Sequence, residues 1–144
     1  MIKVMISAPV LNELLQIKES NHPMEACAIL FKNNTIVKEL HPKKRTVVSF
    51  DEIDPQEMFD LIKEYGEPSA LFHTHPVGSE PSQKDLFFMK NISKIWNIPF
   101  LILGNDNELS AYMIKRMKVL NRSFFPIHKE EIIYKMIEVG VEVR

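Results

Sequence analysis

Apolar residues fall along this chain in short patterned runs, and the spacing within each run predicts strands interleaved with helices. Ile2, Val4 and Ile6 alternate as in a half-buried strand. Ser7 then stands where a helix cap belongs, with Pro9 in the first turn and Val10, Leu11, Leu14 and Leu15 on one face. Asn21, His22 and Pro23 end that helix. Glu25 to Phe31 and Thr35 to Leu40 read as two strands joined by a turn at Lys32 to Asn34, and the β-branched and aromatic run Thr46 to Phe50 reads as a third. Asp54, Pro55 and Glu57 open a second helix, whose apolar face is Met58, Leu61, Ile62 and Tyr65 and whose stop is Gly66.

Beyond it, Ser69 to His73 reads as a short buried strand, followed by a loop from Pro76 to Pro81. Ser82 and Asp85 precede Leu86, Phe87 and Met89 as the start of a third helix. Ile98 to Leu103 and Leu109 to Ile114 flank Gly104, Asn105 and Asp106, a strong hairpin signal. The stretch from about His128 to Glu138 has a helical pattern. No repeat, linker or low-complexity block interrupts this order. The expectation is one domain over residues 1–144, of α/β class (α+β mixed), with a mixed sheet flanked by helices.

Composition narrows the range of functions. With 144 residues there is room for one substantial core. The apolar fraction of 45% and charged fraction of 26% are those of a globular chain rather than a disordered one. Eighteen basic against nineteen acidic residues leave a net charge of −1, so no charge excess drives the chain onto nucleic acid or an anionic membrane. Its longest apolar runs are far too short to span a bilayer, and no signal peptide is expected at the N-terminus. Cys27 is the single cysteine, which rules out an internal disulfide and suits a reducing compartment, so a cytoplasmic location is expected. Gly66, Gly78, Gly104 and Gly140 stand too far apart for a phosphate-cradling loop or dinucleotide fingerprint.

What chemistry remains centres on His73-Thr74-His75. Residues two apart on a strand point to one face, about 7 Å apart along the chain, so both imidazoles can converge on one metal ion. Two histidines at this spacing also arise simply as packed or surface residues. Asp85 follows on the first turn of the third helix, where a carboxylate is favoured by the free N–H groups as a cap, and where the short loop can also return it to the strand end. Together the three side chains make a catalytic type of zinc set, with the fourth position open; His22, His41 and His128 offer no obvious fourth ligand. Glu25 opens an otherwise apolar strand. It is either an exposed strand end or a carboxylate retained as a general base. Ser82 reads as a helix cap, as a hydrogen-bond donor to a developing oxyanion, or as both.

Glu25, then His73-Thr74-His75-Pro76, then Pro81-Ser82 and Asp85 together resemble the JAMM motif of the MPN+ metalloproteases, in its minimal prokaryotic or archaeal form. The resemblance covers most of the chain. It implies a single MPN/JAB-like domain, related to the cytidine-deaminase-like folds, with a mixed, mostly antiparallel sheet flanked by helices. It further implies one Zn2+ per chain held by His73, His75 and Asp85, with Glu25 as general base and acid and Ser82 stabilising the tetrahedral intermediate. The implied reaction is hydrolysis of isopeptide or peptide bonds after the C-terminal tail of a ubiquitin-like modifier, in a deubiquitinase-like deconjugation. The expected partners are that modifier or its protein conjugates, with no nucleic acid and no membrane. The same motif serves a protease that trims the tail of a sulfur-carrier protein, and a non-catalytic MPN scaffold is the alternative outside catalysis. Two departures from the pattern stand out. The connection between His75 and Ser82 is one residue shorter than usual, about 3.5 Å of chain. Ala28 stands where glycine is common, with its methyl group expected close to the metal.

Overall fold

The computed structural model describes residues 3–41, 54–75, 78, 80–121 and 129–144. Strand β1 (Lys3–Ile6) leads into helix α1 (Ala8–Asn21), and a hairpin of β2 (Cys27–Phe31) and β3 (Ile36–Leu40) follows. Helix α2 (Pro55–Tyr65), strand β4 (Ala70–Thr74), helix α3 (Gln83–Ser93) and strand β5 (Phe100–Leu103) come next, and the long strands β6 (Leu109–Asn121) and β7 (Lys129–Val143) complete the chain.

The strands form one mixed sheet in the order β1-β7-β6-β5-β4-β2-β3. Pairing is parallel between β1 and β7 and between β4 and β5, and antiparallel elsewhere. Local chemistry sets the element ends where the sequence places them. The Ser7 hydroxyl accepts the Val10 N–H at 3.2 Å and caps α1. Asp54 accepts the Gln56 N–H at 3.0 Å and starts α2, with Pro55 in its first turn. Gly66, at φ 90°, ends α2 in a backbone region that glycine adopts without a side-chain clash. The β2–β3 turn holds Lys32, Asn33 and Asn34 at φ 52°, 57° and 64°, and asparagine tolerates that region better than most residues. The expected strand at Thr46 to Phe50 lies outside the described residues.

Helices cover both faces of the sheet. On one, Val10 and Leu14 of α1 pack against Ala28, Leu30, Phe72, Leu101 and Leu103. On the other, Met89 of α3 and the apolar side of α2 pack against Cys27, Ile29, Leu71 and Ile102. The result is a three-layer α/β/α arrangement, and β2, β4 and β5, buried on both faces, lie at its centre. Among the described residues no helix is long and apolar enough to cross a membrane.

One element differs in kind from its expectation. Residues 129–143 form strand β7, not the helix that the pattern from His128 to Glu138 predicts. The strand carries Tyr134 and Met136 towards the α3 face and Ile137, Val139 and Val141 towards the α1 face. With both faces partly covered, the apolar-polar alternation that marks a strand is lost. The ladder to β6, from Ala111↔Val139 to Asn121↔Lys129, and the parallel pairing with β1 decide the conformation instead.

Candidate metal centre

Strand β4 and helix α3 build the centre between them. His73 and His75 leave the end of β4 on the face that α3 covers, and their rings meet edge to face with centroids 4.4 Å apart. Asp85 lies on the first turn of α3. Its backbone N–H donates to the Ser82 hydroxyl at 3.1 Å, and its Oδ2 accepts the Ser82 N–H at 2.8 Å, a reciprocal capping box. The same carboxylate reaches both histidines. Oδ1 stands 3.1 Å from His73 Nε2, and Oδ2 stands 2.8 Å from His75 Nε2. Asp85 is thus both the helix cap and the group that faces the two imidazoles.

Each of the three residues offers one donor atom within 4.8 Å of the others. Donors around a tetrahedral zinc ion stand about 3.3 Å apart, so two nitrogens and one carboxylate oxygen at these separations suit such an ion. The three groups differ in how readily they reach the ligating protonation state. Burial holds His73 below its ordinary value, outweighing the pull of Asp85, so its imidazole stays neutral and able to ligate. His75 is also partly desolvated, but the hydrogen bond and charge of Asp85, with the charge of Glu25, raise it above the ordinary imidazole value. Burial disfavours charge on Asp85 too, yet the two histidines and the Ser82 N–H hold its carboxyl far below the usual carboxylate range.

The loop that is one residue short still returns Asp85 to His75; within it, Pro76, Val77 and Ser79 lie outside the described residues. Ala28 does not approach the centre as expected. It is fully buried on the α1 face with Leu30 and Phe72, so its methyl group points away from His73.

Glu25 lies two residues before β2 and is half-buried. The ladder pairs Cys27 with His73 and, carried two residues further, sets Glu25 across from His75 on one face. Two clefts meet at His75. One, of about 470 Å³, also involves Glu25, Thr74, Lys18 and Asn107. The other, of about 610 Å³, runs past Ser82 and Tyr112 to Glu108 and Glu138. Among the other histidines, His41 pairs with Glu57 at 2.9 Å, His22 lines the first cleft, and His128 lies outside the described residues. Two contributors escape the sequence reading. Glu138 reaches the second cleft only because β7 is a strand. Thr74, between the two histidines, accepts the N–H of Ala26, the residue just before β2, through its hydroxyl.

A mixed sheet between helices, with two histidines from a strand end and an aspartate from the next helix start, defines a protein of the JAMM/MPN type. Residues 7–119 match the family of prokaryotic homologs of the JAB domain, and the chain belongs to that family. A JAB1/MPN domain protein from Archaeoglobus fulgidus shares the fold with a TM-score of 0.52 at 17% identity, over 95% of this chain and 97% of that one. A structure described as a metalloprotease-like zinc site in the proteasome and signalosome is similar over 98% of this chain and 99% of the other, at 15% identity and a TM-score of 0.49. None of the curated protein sequences matches the chain. Family membership and the His73, His75 and Asp85 group together suggest a zinc metalloprotease.

Proposed function

We propose that this protein is a zinc-dependent isopeptidase or peptidase that cuts after the C-terminal tail of a ubiquitin-like modifier and frees it from its protein conjugates. The observation that carries this reading is the convergence of His73, His75 and Asp85 within one JAB-family fold. These three residues would hold one zinc ion per chain. Zinc, when bound, supplies a Lewis acid that polarises a carbonyl and brings the pKa of water down towards about 7.

The chain's own residues do the rest. Glu25 takes a proton from the attacking water and returns it to the departing amine, a role supported by its register opposite His75 and by its effect on that imidazole. Ser82 donates a hydrogen bond to the carbonyl oxygen as negative charge builds there. Its oxygen accepts the Asp85 N–H, which leaves the hydroxyl proton for that donation. The two clefts that meet at His75 offer a polypeptide room on both sides of a scissile bond.

The test uses zinc-loaded protein and two probes. One is a small prokaryotic ubiquitin-like protein joined through its C-terminal carboxyl to the lysine ε-amine of a fluorescent peptide. The other is the same protein with a short C-terminal extension. Cleavage of the first by wild type, lost by about 10²-fold or more in Glu25→Gln with zinc retained, supports the reading. Cleavage of the extension alone makes the protein a tail-trimming protease of a sulfur carrier. Wild-type rates in Glu25→Gln remove the base, and no cleavage combined with no zinc uptake leaves a non-catalytic scaffold.

A further inference from the structure

We infer that Thr74, between the two histidines, is a positioning residue that holds Glu25 in place; its catalytic consequence rests on the hydrolase reading above. The β2–β4 ladder runs from Leu30↔Ala70 to Cys27↔His73. One step further, Ala26 faces Thr74. There the Thr74 N–H donates to the Ala26 carbonyl at 3.0 Å, while the Ala26 N–H donates to the Thr74 hydroxyl oxygen at 2.8 Å. Both residues are almost fully buried, at 2% and 3% exposure, so water does not replace either bond.

Alternation along the strands separates two tasks. His73 and His75 point to the α3 face, and Thr74, between them, points to the α1 face. The Thr74 hydroxyl grips the amide that directly follows Glu25. It closes the strand pair at the point where the regular ladder stops, and it fixes the backbone of Glu25 opposite His75. A β-branched side chain has few χ1 choices, so the hydroxyl is already aimed before the bond forms. Valine has the same shape without an acceptor and would strand the buried Ala26 N–H. Serine keeps the acceptor.

The experiment compares wild type, Thr74→Val and Thr74→Ser in the full zinc-loaded chain, by amide hydrogen exchange and by cleavage of the isopeptide probe described above. In Thr74→Val the Ala26 amide should exchange about tenfold faster or more, with the amides of Ile29 and Leu71 unchanged. Zinc content should stay at the wild-type level. The kcat should fall by about ten- to a hundredfold, as small displacements of a reacting group do, with KM within about twofold. Thr74→Ser should return both exchange and kcat towards wild type. Should the valine variant not fold, Thr74→Ala, which lacks the hydroxyl at smaller volume, carries the same expectations.

Unchanged Ala26 exchange overturns the inference, as does unchanged kcat beside faster exchange. Loss of zinc in parallel with kcat also overturns it, because Thr74 would then act on the ligands and not on Glu25. If wild type cleaves no probe, the hydrolase reading fails by itself. The exchange data still decide whether the Thr74 hydroxyl holds the chain at Glu25.

Discussion

His75 Nε2 lies 2.8 Å from Asp85 Oδ2, although the two residues come from different elements and are ten positions apart. That same oxygen accepts the Ser82 N–H, so one carboxylate ties the end of β4 to the start of α3. The helix cap and the candidate metal centre are therefore one structure. Changes to either should be felt by both.

The two histidines should titrate in opposite senses once metal is removed. Burial outweighs Asp85 at His73 and lowers it, whereas Asp85 and Glu25 outweigh partial burial at His75 and raise it. As pH falls, His75 takes up its proton first and His73 last. Ring resonances followed by NMR in chelator-treated protein should show a midpoint above about 6.5 for His75 and below it for His73. A ligand must be neutral to bind, so zinc affinity should weaken as pH drops through the His75 range. Midpoints in the reverse order would contradict this electrostatic account.

Ser82 carries two separable contributions. Ser82→Ala removes the side chain that accepts the Asp85 N–H, and should cost about 1 kcal/mol in denaturant unfolding. Ser82→Gly should cost only a few tenths, since glycine is tolerated at a cap. Both variants lack the hydroxyl and should lose about 10²-fold in cleavage. A glycine variant with wild-type cleavage would leave Ser82 as a cap alone.

Packing of α1 on the sheet makes a simpler prediction. Leu14 is completely buried against the α1 face, while Phe87 on α3 is 70% exposed. Leu14→Ala should therefore destabilise the protein by about 2–5 kcal/mol. Phe87→Ala should change stability by no more than about 0.5 kcal/mol. Equal losses measured by urea unfolding would mean that α1 is not docked as described.

Much of this architecture is legible in the sequence, for physical reasons. Ser7, Asp54 and Ser82 cap their helices through bonds to N–H groups two or three residues on, so a few adjacent positions carry the whole signal. The Lys32 to Asn34 turn is local in the same way. The candidate ligands were legible because strand alternation by itself sets His73 and His75 on one side. Asp85 joins them through its place on the first turn of the next helix, after a short loop, and the resemblance to the JAMM pattern selects among the readings that the residues leave open for Asp85, Glu25 and Ser82.

What was not legible depends on partners distant in sequence. Ile133, Met136 and Ile137 repeat at three and four residues and imitate a helix face, yet β6 and β1 draw the segment into the sheet. The strand expected to begin at Glu25 is assigned only from Cys27. The cause is a side chain 48 residues away, the Thr74 hydroxyl, which takes the Ala26 N–H. Ala28 is a further instance. As a departure from the glycine common at this position of the JAMM pattern it is expected near the metal, but its parity along β2 sends it to the opposite face.

Whether His73, His75 and Asp85 hold a metal ion is decided by elemental analysis. Wild-type and His75→Ala protein would be purified without added metal, then measured again after zinc titration and removal of excess. Wild type should carry about one zinc per chain and the variant should lose most of it, since a tetrahedral catalytic site keeps three protein ligands. A wild-type protein that neither carries zinc nor takes it up, or a variant that retains it fully, would mean that these three residues are not a metal site.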